Sequence, residues 1–133
     1  MKKTIATCLL LILILSCVFS FVACKDSVDP IVGKYYRSIS NSVYDSAYLI
    51  VRSDGTATTY WCKQANTEIG ERDDYTSWIL DEESNIYFFN GRRGQSNPDK
   101  WMLVDGNLQN PEIEQHIFHR ISDSEWPDYI PKN

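Results

Sequence analysis

Short runs of alternating apolar and polar residues follow one another from residue 31 to residue 121. The runs are rich in Tyr, Trp, Phe, Ile, Val and Thr, which fit a pleated, half-buried surface, so each run predicts a β-strand. The eight predicted strands span residues 31–38, 47–53, 56–63, 75–81, 86–90, 100–104, 107–109 and 115–121. The pattern therefore predicts an all-β domain.

Turn-forming residues separate these runs and support the predicted boundaries. Asp54-Gly55 and Asp105-Gly106 each have the composition of a tight hairpin. All five prolines lie outside the predicted strands, where a missing N–H group interrupts no ladder of hydrogen bonds. Gly33 alone among the glycines lies within a strand, which indicates a bend or the close approach of another backbone.

Several predicted strands are apolar on both faces. In the second strand Ala47, Leu49 and Val51 share one face, whereas Tyr48 and Ile50 share the other. This pattern is typical of a small closed barrel whose outer face is partly covered, or whose aromatic residues form exposed patches. Short antiparallel strands joined by hairpins favour an up-and-down barrel. An open β-sandwich and an OB-like barrel are the alternative architectures.

The first and last predicted strands carry a pair of motifs. Gly33-Lys34-Tyr35 stands near the start of the first strand, and Arg120 lies in the last. Together with residues 49–56 (Leu-Ile-Val-Arg-Ser-Asp-Gly-Thr), they resemble lipocalin-like barrels, including those of small bacterial lipoproteins. Members of that family begin with Gly-x-Trp and carry an Arg on a late strand that packs over the Trp. Tyr35 stands in place of the Trp, so the resemblance implies that Arg120 packs over Tyr35.

The N-terminus has the form of an export signal. Two lysines are followed by an uncharged stretch over residues 4–23, whose centre at residues 9–15 is aliphatic. Residues 21–24 (Phe-Val-Ala-Cys) close the stretch and resemble the lipobox of bacterial lipoproteins. The resemblance implies that Cys24 is the lipid-attachment site, carries fatty acyl chains such as palmitate, and becomes the mature N-terminus. Cleavage after Ser20 and a retained membrane helix are the alternatives.

These motifs divide the chain into four parts. They are a signal peptide over residues 1–23, a lipidated N-terminus and tether over 24–30, a β-barrel over 31–121 and a C-terminal tail over 122–133. Bacterial lipoproteins carry two or three acyl chains, which give stable membrane anchoring, so the expected location is the cell envelope. Lys25 is not the Asp that usually retains such proteins at the inner membrane. This favours the outer membrane, at its periplasmic or surface face, in a source that has one.

Composition narrows the classes of partner. The 133 residues lose 23 with the signal, and the remaining 110 hold 18 acidic and 11 basic side chains, a balance of −7. Nucleic-acid-binding proteins leave a basic footprint, so no nucleic-acid partner is expected. The length leaves no room for a doubly wound cofactor enzyme of ordinary size, and no cofactor is expected.

Cys62 is the one cysteine left once the signal is removed and Cys24 is acylated, which excludes an intramolecular disulfide. It follows Tyr60 and Trp61 in an apolar run typical of a buried, inert thiol. Cleavage after Ser20 would instead leave Cys24 free to pair with Cys62.

The histidines form no catalytic constellation. His116 and His119 lie three residues apart, so on one strand they point to opposite faces. Glu112, Glu114 and His116 alternate in a row that would suit a metal, but a solvated edge is the favoured interpretation, because metal sites gather ligands from converging elements. We therefore expect no metal and no enzymatic activity.

Charged clusters are interpreted as surface features. Acidic residues concentrate at residues 71–74 and 81–83, and both segments are predicted as solvated turns. Arg92 and Arg93 form a lone basic pair, predicted to lie in an exposed loop.

Aromatic residues are the most unusual feature of the mature chain, which holds four Trp, eight Tyr and three Phe. Trp61, Trp78 and Trp101 lie on separate predicted strands, where they either fill the barrel core or line one cavity. Trp126 and Tyr129 lie in the tail and would plug the barrel bottom or bind a partner. The sequence favours a non-catalytic binding module that holds a small apolar ligand. The alternative is an inhibitor or envelope-accessory protein with a filled barrel and an exposed interaction patch.

Overall fold

The computed structural model describes residues 29–39, 43–63, 68–91 and 97–132. Cys24, the predicted signal peptide and most of the tether lie outside these residues, as does the pair Arg92 and Arg93. Most of the predicted barrel and of the C-terminal tail lies within them.

The regular structure of the described residues consists of nine β-strands and one short 3₁₀ helix. In chain order they are β1 (Gly33–Ser38), β2 (Ser46–Val51), β3 (Ala57–Cys62), β4 (Ile69–Tyr75), β5 (Ser77–Leu80), β6 (Asn85–Phe89), β7 (Asp99–Val104), β8 (Asn107–Gln109), β9 (Ile117–Ile121) and the 3₁₀ helix Asp123–Glu125. Each of the eight predicted strands is present, which confirms the all-β prediction. The additional strand is β4.

The nine strands form one antiparallel sheet in the order β4-β3-β2-β1-β9-β8-β7-β6-β5. β9 pairs with β1 on one side and with β8 on the other, so the first and last strands lie side by side. β4 and β5, at the two ends of this order, are consecutive in the chain. The sheet therefore curls into a nearly closed barrel, which confirms the predicted up-and-down architecture.

Both predicted Asp-Gly hairpins are present. Asp105 and Gly106 join β7 to β8 with φ angles of 50° and 79°, the positive values that a tight two-residue turn requires. Between β2 and β3, Gly55 has φ of 89°, and the carboxylate of Asp54 accepts a 2.9 Å hydrogen bond from the backbone N–H of Thr56. These turns fix the register of the strands on either side.

β4 corrects the prediction that residues 71–74 form a solvated turn. The segment pairs with β3, and Asp73 is buried, with 5% of its surface exposed. Its carboxylate accepts a 2.8 Å hydrogen bond from Nε1 of Trp61 on the neighbouring strand. Aspartate is rare in β-strands because its side chain seldom finds a favourable neighbour there. The hydrogen bond from Trp61 provides such a neighbour, so Asp73 is accommodated in β4.

A bend at Thr76 divides the predicted strand 75–81 between β4 and β5. Uninterrupted alternation would place Tyr75 and Trp78 on opposite faces of the sheet. Instead Tyr75 is buried in the core and Trp78 packs against that core. The bend shifts the alternation by one residue where the sheet turns the corner of the barrel.

The barrel interior holds the main hydrophobic core. Its buried residues are Ile31, Tyr35, Ala47, Leu49, Val51, Ala57, Tyr75, Ile86, Phe88, Leu108 and Phe118. The alternation predicted for the second strand is confirmed, since Ala47, Leu49 and Val51 belong to this core. Tyr48 and Ile50 belong to a second cluster on the outer face.

The C-terminal tail packs on that outer face rather than at the bottom of the barrel, which corrects the plug predicted there. Trp126 and Ile130 are 3% and 1% exposed and join Ile50, Tyr60 and Cys62 in the second cluster. This cover explains why β2 and β3 are apolar on both faces.

Arg120 closes the barrel where β9 meets β1. Its guanidinium lies 5.7 Å from the ring centre of Tyr35 and donates hydrogen bonds of 2.6 and 2.5 Å to the carbonyl oxygens of Pro30 and Val32. A Cβ atom on Gly33 would lie 2.9 Å from Nη2 of Arg120, so the close approach expected at this glycine is to a side chain. The packing of Arg120 over Tyr35 is the contact that the sequence resemblance implied.

We expect Arg120→Met to lower the free energy of unfolding by about 2 kcal/mol, because hydrogen bonds to charged groups contribute roughly 1.5–3 kcal/mol and this side chain is partly solvated. Arg72→Met is the matched control. Arg72 pairs with Asp74 at an exposed site, where the loss should be about 0.2–1 kcal/mol. Urea denaturation of both variants measures the difference, and equal losses would contradict the closing role of Arg120.

Candidate functional site

A cavity of about 190 Å³ lies inside one end of the barrel. It occupies the end at which β3 finishes and β7 starts, away from the β2–β3 hairpin. Six strands and the segment that follows β8 contribute to its lining. The lining residues are Leu49, Thr59, Trp61, Tyr75, Phe88, Asp99, Lys100, Trp101, Asn110 and Phe118.

Aromatic rings form most of the apolar wall. Trp101 and Phe118 meet edge to face with their ring centres 5.1 Å apart, and Tyr75 and Phe88 pack at the same distance. Trp61 is held by the hydrogen bond from its indole to the buried Asp73. Because each ring has a fixed neighbour, the wall is formed without a ligand to organise it.

The polar side of the cavity centres on Tyr75 and Asp99. The hydroxyl of Tyr75 donates a 3.0 Å hydrogen bond to Oδ2 of Asp99. Burial raises the pKa of Tyr75 well above its usual value, and the charge of Asp99 raises it further. The hydroxyl therefore keeps its proton at physiological pH, and Tyr75 is a fixed hydrogen-bond donor rather than a base.

A positive charge lies next to the cavity residue Phe118. The guanidinium carbon of Arg37, on β1, is 6.0 Å from the ring centre of Phe118. Burial, followed by the charge of Arg37, lowers the pKa of His116, so this histidine is neutral at pH 7. The cavity is thus lined by the carboxylate of Asp99, while the guanidinium of Arg37 packs on the ring of Phe118, another lining residue.

Asn110 shapes the rim. Its Oδ1 atom accepts hydrogen bonds of 2.9 Å from the backbone N–H groups of Glu112 and Ile113. These bonds form a turn between β8 and β9, where the sequence analysis placed a metal-type row. Glu112 and Glu114 are exposed in this turn. Within the described ranges, no group of three or more His, Cys, Asp or Glu residues is placed to hold a metal ion.

Of the three tryptophans predicted either to fill the core or to line one cavity, two line the cavity. Trp61 and Trp101 line it, whereas Trp78 packs at the other end of the barrel, where its indole donates a 3.0 Å hydrogen bond to the carbonyl oxygen of Arg52. The sequence analysis missed Tyr75 and Asp99, which are 24 residues apart in the chain and meet only in the folded barrel. Asp99 shares a face of β7 with Trp101, so alternation along this strand could have placed Asp99 beside Trp101 in the cavity.

Cys62 is buried beneath the tail, and burial raises the pKa of its thiol. It lies on the outer face and takes no part in the cavity. The predicted inert thiol therefore agrees with its surroundings. Cys24, the predicted lipid-attachment site, lies outside the described residues.

Comparison with known proteins yields no match to a family model, to a curated protein sequence or to a solved structure. Among the residues that the structure describes, no helix is long and apolar enough to cross a membrane.

Proposed function

We propose that this chain is a membrane-anchored bacterial lipoprotein whose lipocalin-like barrel binds a small, largely apolar molecule and catalyses no reaction. The observation that carries the binding proposal is the aromatic cavity at one end of the barrel. Aromatic walls with a few placed polar groups are the usual form of a small-molecule site.

The volume limits the ligand. At about 190 Å³ the cavity is somewhat larger than an engineered apolar cavity of about 150 Å³ that binds benzene. A single ring or a short branched chain fits between Trp61, Trp101 and Phe118. A hydrogen-bonding group on the ligand would meet the Tyr75–Asp99 pair, which orients the ligand within the site.

The anchoring part of the proposal rests on the sequence. Residues 1–24 combine a positive start, an aliphatic centre and a lipobox-like end, and the tether to the barrel is short. A barrel attached in this way would hold its ligand at the membrane surface of the cell envelope.

Native mass spectrometry tests the cavity. We expect residues 25–133, purified gently without added ligand, to carry extra mass that disappears on denaturation. Leu49→Phe places a larger side chain into the cavity wall and should abolish the adduct. Ile79→Phe adds a ring on the exposed outer surface and should retain it.

Circular dichroism first establishes that both variants are folded. An adduct that survives equally in both variants would lie elsewhere on the protein and would contradict the cavity as the site. A clean mass for the unaltered chain would favour the alternative function, a barrel that acts through its surface.

That alternative, protein interaction, is favoured by a separate observation. The outer face of β5, β6 and β7 presents apolar side chains that the rest of the described chain leaves partly exposed.

A further inference from the structure

An apolar patch covers the outer face of β5, β6 and β7. Ile79 and Val104 are 55% and 41% exposed, and Tyr87, Phe89 and Met102 are half-buried. Ile79 pairs directly with Tyr87, while Phe89 and Met102 lie one step along the same face. Side chains in such positions touch their neighbours, so the five form one continuous surface, named here the outer patch.

On the opposite side of the barrel, an apolar outer surface is covered by the C-terminal tail. On β2 and β3 the outward-facing Tyr48, Ile50 and Tyr60 are covered by Trp126 and Ile130 of the tail. The outer patch has a similar apolar composition and no corresponding cover among the described residues. Contiguous apolar patches of this kind on small proteins mark interaction sites.

Charges at two corners of the outer patch identify the partner. Lys100 pairs with Tyr87 on the β7 side, and its Nζ lies 5.7 Å from the Tyr87 ring centre. The β5–β6 hairpin lies at the diagonally opposite corner, where the Tyr87 hydroxyl donates to Asp81 and where Glu82 and Glu83 are exposed. The patch is thus positive at one corner and negative at the other.

A surface with this charge pattern is complementary to itself. A two-fold axis beside the Asn85–Met102 pair, which lies between Lys100 and the hairpin, and perpendicular to the line that joins them, brings Lys100 of each copy against the acidic hairpin of the other. An anionic membrane surface is a poorer partner, because three carboxylates border the patch. We infer that the outer patch is a two-fold interface between two copies of this chain.

Cysteine crosslinking of the full chain in intact cells tests the interface. Met102→Cys lies near the proposed axis, so a short, membrane-permeable bismaleimide should join two copies into a species of twice the mass. Ser124→Cys, exposed in the tail on the other side of the barrel, is the matched control and should give only the background of the unaltered chain. The reagent reacts in any compartment, so the result does not depend on where the protein is located.

Charge exchange makes the test specific. Lys100→Glu should weaken the crosslinked dimer about tenfold or more, because it places like charges across the interface. Combining it with Glu82→Lys and Glu83→Lys should restore the dimer. Crosslinking at Met102→Cys no stronger than at Ser124→Cys would overturn the interface. So would a product whose mass corresponds to a different protein, or a triple variant that is no better than Lys100→Glu.

Discussion

Cys24→Ala should move the protein from the membrane fraction to the soluble fraction and remove the mass of its acyl chains. A single fatty chain binds a membrane only marginally, whereas two or more anchor it stably, each buried methylene contributing about 0.8 kcal/mol. Loss of the acylated cysteine removes every chain at once, so the expected effect is close to complete. Membrane fractionation followed by intact mass spectrometry measures both consequences.

The control for this experiment is Cys62→Ala, which leaves the anchor in place and should stay with the membrane. An unaltered chain that keeps residues 1–23 and lacks acyl mass would contradict the lipoprotein proposal and indicate a retained helix. An unaltered chain that begins at Phe21 and lacks acyl mass would contradict it as well, in favour of ordinary cleavage.

Trp126→Ala should lower the free energy of unfolding by about 3–5 kcal/mol, the usual cost of truncating a buried Trp to Ala. The Trp126 ring lies 5.7 Å from that of Tyr48 and 6.3 Å from that of Tyr60, in edge-to-face contacts. Nζ of Lys34 lies 5.3 Å above it, and its indole donates a 3.3 Å hydrogen bond to the carbonyl oxygen of Ile130. The side chain thus joins the tail to the outer cluster.

Urea denaturation monitored by far-UV circular dichroism measures this loss of unfolding free energy. The backbone signal is used because the substitution itself changes the Trp fluorescence. Asp128→Ala, in the same tail, removes only an exposed ion pair with Lys132 and should cost about 0.2–1 kcal/mol. A loss for Trp126→Ala below that of Asp128→Ala would mean that the tail does not stabilise the barrel.

Local chemistry predicted the features that depend on neighbours in the chain. The Asp-Gly pairs at residues 54–55 and 105–106 set two hairpins, because Gly55, Asp105 and Gly106 adopt the positive φ that few residues reach without strain. The alternation of Ala47, Leu49 and Val51 identified the inward face of β2.

Features that depend on contacts between residues far apart in the chain were not predicted from the sequence. Asp73 is predicted from the sequence to be solvated, but in the folded chain it accepts a hydrogen bond from Trp61, 12 residues earlier. Tyr75 and Asp99 come together only when the barrel curls. The bend at Thr76 shifts the inward–outward alternation by one residue, and no Gly or Pro marks this position in the sequence. The Trp61–Asp73 bond depends on the register of two consecutive strands, and only the Tyr75–Asp99 bond depends on the curling of the sheet.

The pairing of β1 with β9 also governs when the chain acquires its structure. Arg120 bonds to Pro30 across 90 residues of sequence, and the covering residues Trp126 and Ile130 come later still. Contacts this far apart in sequence make folding slow, because the intervening loop must be closed first. A chain that stops before β9 therefore lacks both its closing strand and its outer cover. We therefore expect a chain that ends before residue 117 to stay unfolded and open to proteolysis rather than to form a partly active fragment.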